Sequence, residues 1–73
     1  MRSPVVCLVI YVRKDHNNKY KVYVADQRNE LPSDAEVITS VDKSDKFVMM
    51  EYVKNKLAEG WSPDMCRQAC DDE

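Results

Sequence analysis

Residues 5–25 read Val-Val-Cys-Leu-Val-Ile-Tyr-Val-Arg-Lys-Asp-His-Asn-Asn-Lys-Tyr-Lys-Val-Tyr-Val-Ala, and the rest of the architecture is built around them. The first eight, residues 5–12, are apolar at odd and even positions alike and rich in β-branched side chains. Such a run favours a strand over a helix. Because both faces are apolar, we expect this strand to be central in its sheet or covered on both sides.

A second strand follows after a short polar connection. Residues 13–18 contain Asp and two Asn, which suit a hairpin turn. Residues 19–25 alternate, with Tyr20, Val22 and Val24 on one face. Two strands across such a turn predict a β-hairpin.

The next elements are a shorter strand and a long helix. Residues 36–41 are a candidate third strand, and whether they pair in the sheet is left open. A helix is expected over residues 45–59, with Asp42 or Ser44 as its N-cap. It should stop at Gly60, the only glycine, which suits the left-handed position after a helix.

The long helix carries an apolar stripe that should cover the sheet. At helical spacing this stripe consists of Met49, Met50, Val53 and Leu57. Ser62 and Pro63 then predict the start of a second, short helix. Its apolar side would carry Met65, Cys66, Ala69 and Cys70. Residues 71–73 are acidic where the helix dipole disfavours negative charge, so this tail should fray.

These elements predict one α+β domain that comprises residues 1–73. We expect a small antiparallel sheet of two or three strands, built on the N-terminal hairpin and covered by the two helices, in the order β-β-β-α-α. No apolar run is long enough to span a bilayer and no secretion signal is evident. We therefore expect a cytoplasmic monomer that does not bind membranes.

Charge is unevenly distributed along the chain. Residues 1–28 contain six Lys and Arg side chains against two acids, whereas residues 29–73 contain five against eleven. The hairpin is therefore basic and the helical half acidic, which can steer a charged partner. The alternative is that two solvated surfaces merely differ in composition.

Two groups of side chains are candidates for binding a partner protein, because aromatic or apolar groups with a charged rim are typical of such surfaces. The first group, expected on the outward face of the hairpin, comprises Arg13, Lys14, Lys21 and Tyr23. The second comprises Val48 and Tyr52 on the long helix, unless the C-terminal helix packs over them. The hairpin could also offer an open edge to a strand of the partner.

The cysteines raise the question of a metal site. Cys66 and Cys70 are four residues apart on one helical face, and Cys7 or His16 could add ligands. A second closely spaced pair is missing, and cysteines on an apolar helix face are usually core residues. We predict reduced cysteines, with no metal and no cofactor.

No catalytic constellation is recognisable, so we predict a non-enzymatic protein. Residues 5–28 followed by Glu-Leu-Pro at 30–32 resemble the opening of a Nudix hydrolase. That family then needs a glycine-rich turn and a helix with glutamate ligands for magnesium. Here Ser-Asp occupies 33–34 and the helix reads Met-Glu-Tyr-Val-Lys-Asn at 50–55, so the activity is rejected.

Nucleic-acid binding is the second functional hypothesis. Residues 60–65, Gly-Trp-Ser-Pro-Asp-Met, resemble a turn in helix-turn-helix segments of some insertion-sequence transposases. The helix that follows ends in acids, which phosphates would repel. The basic hairpin remains a possible nucleic-acid surface. A third hypothesis is an inhibitor of a bacterial defence nuclease, in which the acidic half imitates a phosphate backbone.

The overall build resembles the small phage-encoded transcription regulators that bind host RNA polymerase, of the Xanthomonas phage type. The features that carry this resemblance are the strand at 5–12, the Lys-rich hairpin, a single main helix and an acidic tail. The resemblance implies that the protein binds a subunit of host RNA polymerase and inhibits or retargets transcription. It assigns no role to any individual residue.

Overall fold

The computed structural model describes residues 7–71 and confirms the α+β class. In chain order the elements are β1 (Cys7–Lys14), β2 (Tyr20–Ala25), β3 (Glu36–Asp42), α1 (Lys46–Ala58) and α2 (Pro63–Asp71). Short 3₁₀ turns cover Arg28–Glu30 and Lys43–Asp45. Residues 5 and 6 of the predicted first strand, and residues 72 and 73 of the predicted frayed tail, lie outside the described residues.

The three strands form one antiparallel sheet in the order β2-β1-β3. The prediction that the first strand is central is therefore confirmed, although β1 extends two residues beyond the predicted end. The hairpin of β1 and β2 is also confirmed. The third strand, left open from sequence, pairs with the other side of β1.

The connection from β2 to β3 has to cross the central strand. Both strands run antiparallel to β1, so residues 26–35 pass from one edge of the sheet to the other. Asp34 of this segment approaches Arg13 of β1, with 3.0 Å between Oδ1 and Nε. The crossing therefore runs over the face that carries Arg13, and Val9 and Tyr11 of the same face are buried.

Both helices pack on the opposite face of the sheet, where the main core lies. Its most deeply buried side chains are Ile10 and Val12 from β1, Val53 from α1 and Cys66 from α2. β3 contributes through a register shift opposite Ile10 and Tyr11. This irregularity allows Ile38 to join the core.

The boundaries of the helices follow local rules, with two exceptions. Gly60 ends α1 with a φ of 98°, as predicted, and the Met65 N–H donates to Ser62 Oγ at 3.3 Å at the start of α2. The predicted capping of α1 by Asp42 or Ser44 is wrong. The chain forms a 3₁₀ turn there, so α1 begins at Lys46 without a side-chain cap.

Candidate protein-docking groove

A groove of about 1270 Å³ runs between the edge strand β2 and helix α1. We call it the β2–α1 groove. Most of its apolar lining is half-buried and belongs to the margin of the core. These side chains are Tyr20, Val22 and Val24 from β2, Met50 and Leu57 from α1, and Trp61.

The groove exists because the helices are not centred on the sheet. Val53, with no exposed surface, anchors α1 above the core, while α2 packs mainly on β3. In the part of the chain that the structure describes, only α1 is left to cover the β2 side, and a single helix about 10 Å wide does not close it. The alternating apolar side chains of β2 therefore remain partly accessible.

The rim of the groove is strongly basic. Among the described residues, its charged lining consists of Lys19, Lys21, Lys46 and Lys54, with Glu51 as the single acid. The side chain of Lys21 belongs to the opposite face of the sheet, so Lys21 borders the groove at the strand edge. This concentration of positive charge occurs in a protein whose formal net charge is −2. The groove is therefore complementary to a partner that is apolar and acidic.

Phe47 marks one end of the groove. Its side chain is 74% exposed although it is large and apolar, and Lys46 Nζ lies 5.1 Å from the centre of its ring. A solvent-exposed phenylalanine beside a lysine is a typical anchor for a protein partner. By helical spacing Phe47 lies near the edge of the core stripe, so the sequence pattern did not single it out as a binding residue.

At the other end of the groove, the lining residue Trp61 is contacted by Lys56, which does not itself line the groove. Lys56 Nζ lies 4.9 Å from the Trp61 ring centre and 5.6 Å from that of Tyr52. The same ammonium group is 3.9 Å from Glu59 Oε2. These contacts hold the indole against the end of α1, which gives this end of the groove a fixed aromatic wall.

The predicted hairpin residues are divided between the two faces of the sheet. Arg13, Lys21 and Tyr23 share the face crossed by residues 26–35. Tyr23 is 38% exposed and stacks on Tyr11, with 5.5 Å between ring centres. Because Arg13 is ion-paired with Asp34 across this face, part of the predicted surface is already occupied by the chain itself.

Lys14 does not belong to that outward face, so its predicted position is wrong. It pairs with Tyr20 across the hairpin, and directly paired residues share a face. Its Nζ lies 5.3 Å from the centre of the Tyr20 ring. Lys14 therefore lies on the helix side of the sheet, beside the β2–α1 groove.

Val48 and Tyr52 are accessible on α1, with 72% and 37% of their surface exposed. The alternative that α2 packs over them is wrong, because α2 packs mainly on β3. Val48 borders a smaller hollow of about 470 Å³ at the end of the sheet. Neither residue lines the β2–α1 groove, so the structure does not join the two predicted groups into one surface.

The cysteines are placed mainly in the core. Cys66 is fully buried, and burial raises the pKa of its thiol, an effect that the positive charge of Lys56 partly offsets. Cys70 Sγ lies 3.8 Å from Met49 Sδ, while His16 is exposed in the hairpin turn. Among the described side chains, those of residues 7–70, no three His, Cys, Asp or Glu side chains cluster as metal ligands would.

Comparisons with protein-family models, curated proteins and solved structures find no match to this chain. In the described part of the chain, neither helix has the length and apolar character required to cross a bilayer. Among the residues that the structure describes, the β2–α1 groove combines an apolar lining with a charged rim and is therefore the candidate functional site.

Proposed function

We propose that this protein is a small non-enzymatic regulator that acts by binding a larger protein, and that the β2–α1 groove is its docking surface. The observation that carries the proposal is the combination of an apolar lining with a basic rim in a protein of net negative charge. Interfaces commonly have an apolar centre surrounded by polar and charged side chains. A groove of this composition has the properties needed to bind an acidic, partly apolar segment.

The placement of the reactive side chains supports binding over catalysis. Cys66 is inaccessible and its raised pKa disfavours the thiolate, which is the nucleophilic form. His16 is exposed in a turn, away from the groove lining. A catalytic histidine or cysteine would need a partner that orients or activates it in a sheltered cleft.

We further propose a subunit of bacterial RNA polymerase as the partner, with inhibition or retargeting of transcription as the result. This part rests on the resemblance in overall build to small phage-encoded regulators. The basic rim is compatible with it, because it would be steered to an acidic surface of a large assembly. Such a regulator would act in the host cytoplasm.

Binding of purified bacterial RNA polymerase core enzyme to the immobilised protein, followed by biolayer interferometry, tests the proposal. Lys54→Glu reverses a charge on the rim of the groove, whereas Lys43→Glu makes the same change in the exposed 3₁₀ turn outside it. We expect Lys54→Glu to slow association roughly tenfold and Lys43→Glu to have little effect. Promoter-dependent transcription in vitro should be altered by the wild type and by Lys43→Glu.

Absence of binding at micromolar concentrations would exclude RNA polymerase as the partner. Equal effects of the two charge reversals would exclude the groove as the docking surface. Tight binding to bare DNA or RNA with a steep salt dependence would instead support the nucleic-acid hypothesis.

A further inference from the structure

The hydrogen-bonding pattern of the hairpin determines which backbone groups of β2 point outward. At its closed end the Asp15 N–H donates to the Lys19 carbonyl oxygen at 2.8 Å, which makes this a hydrogen-bonded pair. In an antiparallel ladder such pairs alternate with non-hydrogen-bonded ones. From the observed register, Tyr20, Val22 and Val24 are in the non-hydrogen-bonded positions. Their N–H and C=O groups therefore point away from β1.

The same three residues direct their side chains into the β2–α1 groove. Tyr20, Val22 and Val24 share the helix-facing side of the sheet and all line the groove. A strand laid along β2 would thus gain backbone hydrogen bonds and, at alternate positions, places for its side chains. β2 comprises six residues, about 20 Å of edge at the rise of an extended strand.

The two edges of the sheet are not equivalent. On β3, Arg67 Nε of α2 donates a hydrogen bond of 2.9 Å to the Val37 carbonyl oxygen, so a helix side chain covers part of that edge. Within residues 7–71, no strand pairs with the outer side of β2. The open edge and the apolar groove therefore occur on the same side of the molecule.

We infer that the partner binds as an extended segment of alternating apolar and acidic residues, which adds a fourth strand to the sheet along β2. This inference rests on the proposed function and specifies its chemistry. Apolar side chains of the segment would enter the groove beside Val22 and Val24. Acidic side chains on the other face would lie near Lys21, and acids beyond the groove would meet Lys46 and Lys54.

The charges also favour a different protein over a second copy as the occupant. Antiparallel pairing of β2 with β2 of another copy, centred on Val22, would place the two Lys21 side chains diagonally across the two-fold axis, within reach of each other. Like charges facing each other across strands are destabilising, and edge lysines commonly prevent such pairing. An acidic segment removes this repulsion and replaces it with attraction.

The mainly aliphatic lining favours a peptide over single-stranded nucleic acid. Val22, Val24, Met50 and Leu57 line the groove between β2 and α1, whereas the aromatic side chains Phe47 and Trp61 lie at its two ends and Tyr20 at the start of β2. Binding of single strands relies on a row of aromatic rings on which successive bases stack. The outward backbone groups of β2, in contrast, match those of an extended peptide directly.

Fluorescence polarisation with a labelled peptide of alternating valine and glutamate, about eight residues long to cover β2, tests the inference. Two derivatives carry backbone N-methyl groups, either on the valines or on the glutamates. Only one set of N–H groups can face β2, so one derivative should bind at least roughly tenfold more weakly while the other retains affinity. Loss with methylated valines indicates an antiparallel arrangement, and loss with methylated glutamates a parallel one.

Variants of the protein provide an independent test. Val22→Pro removes an N–H that points outward, which an edge strand tolerates, and should abolish peptide binding. Val37→Pro makes the same substitution on the other edge strand, at a residue whose carbonyl oxygen accepts from Arg67 and so faces away from β1, and should bind within about threefold of the wild type. If Val22→Pro does not fold, binding of the two N-methylated peptides to the wild-type protein still tests whether the peptide adds as a strand.

Three results would overturn the inference: equal binding of both N-methylated peptides, dimerisation of the protein through β2, and preference for a single-stranded oligonucleotide over the peptide. Any of these could occur while Lys54→Glu still weakens binding to a protein partner. In that case strand addition would be wrong and the proposed docking groove would stand. If strand addition fails and Lys54→Glu also has no effect on binding to a protein partner, the proposed function is rejected as well.

Discussion

Arg67 of α2 donates a hydrogen bond from its guanidinium Nε to the Val37 carbonyl oxygen in β3, over 2.9 Å, and thereby connects the C-terminal helix to the edge of the sheet. The same guanidinium is held on its own helix by Asp64, with 3.1 Å between Nη1 and Oδ1. Because α2 is tied to β3 in this way, α1 is the only described helix left to cover the β2 side. The asymmetry of the molecule, with one covered edge and one open edge, follows from this arrangement.

Arg67→Met should destabilise the fold by about 1–2 kcal/mol, since it removes a charge-assisted hydrogen bond that is only partly shielded from water. Methionine retains most of the apolar stem of arginine, so the lost stability reports mainly on the hydrogen bond to Val37. Urea denaturation followed by tryptophan fluorescence measures the free energy of unfolding. Arg28→Met, at an exposed position, should change it by less than about 0.5 kcal/mol. Equal effects of the two substitutions would show that the contact with Val37 does not stabilise the fold.

Val53 and Val48 provide a matched pair on one helix, because the same substitution acts in opposite environments. Val53 has no exposed surface, whereas Val48 is 72% exposed. Val53→Ala should cost about 2 kcal/mol through lost burial and a residual cavity. Val48→Ala should change stability by less than about 0.5 kcal/mol. Thermal and urea unfolding of both variants measure the difference, and similar costs would contradict the packing of α1 described above.

The hairpin and both helices could be predicted because their signals are local. Alternation over Tyr20, Val22 and Val24, a polar turn, and Gly60 each act within a few residues. The pairing of β3 with β1, which completes the order β2-β1-β3, could not be predicted in the same way. It depends on the crossing of residues 26–35 over β1, which is stabilised by contacts between distant segments such as Arg13 and Asp34.

The β2–α1 groove was missed for a related reason. Its residues were recognised separately, Val22 on one face of a strand, and Met50 and Leu57 on the helical stripe that was expected to cover the sheet. Whether a core face is fully covered depends on where the helices sit, and α2 contacts β3 instead of closing the β2 side. The available signal was an edge strand with an apolar face, followed by Phe47 directly before the apolar stripe of the helix. The predicted position of Lys14 was wrong because residues after 12 were expected to form a turn, whereas β1 continues to Lys14. Consecutive residues of a strand point to opposite faces of the sheet, so Lys14 lies on the face opposite Arg13.

Cys66 should be the slowest cysteine to react with iodoacetamide in the native protein. It has no exposed surface and burial raises the pKa of its thiol, so both access and thiolate content are reduced. Cys7 is exposed and should react roughly a hundredfold faster. Trypsin cleaves after Arg67 and separates Cys66 from Cys70, so mass spectrometry of the digest follows each site. In urea the rates of Cys7 and Cys66 should converge, and rapid native labelling of Cys66 would contradict its place in the core.

The carboxyl group of Asp15 makes the stability of the hairpin turn depend on pH. Its Oδ1 accepts the backbone N–H of Lys19 at 3.0 Å and that of Asn17 at 2.9 Å. The bond from Lys19, aided by that from Asn17 and by the charge of Lys21, outweighs desolvation and lowers the pKa of the Asp15 carboxyl. A carboxyl whose pKa is lower in the folded state stabilises the fold above its unfolded pKa. This contribution is lost as the pH falls through the folded value.

Asp15→Asn should therefore lower the free energy of unfolding at neutral pH, because the neutral amide oxygen is a weaker acceptor for the two turn N–H groups. The gap between wild type and variant should shrink as the pH falls below 3.8, the ordinary pKa of an Asp carboxyl, and on through the lowered pKa of Asp15, because the protonated wild-type carboxyl loses its advantage as an acceptor. Urea unfolding across this range measures the gap, and carbon-detected NMR titration of the Asp15 carboxyl checks its pKa directly. Asp26→Asn, at an exposed position after β2, serves as the control for losing one negative charge. A gap that stays constant with pH, or is equally large for Asp26→Asn, would mean that the Asp15 carboxylate does not hold the turn.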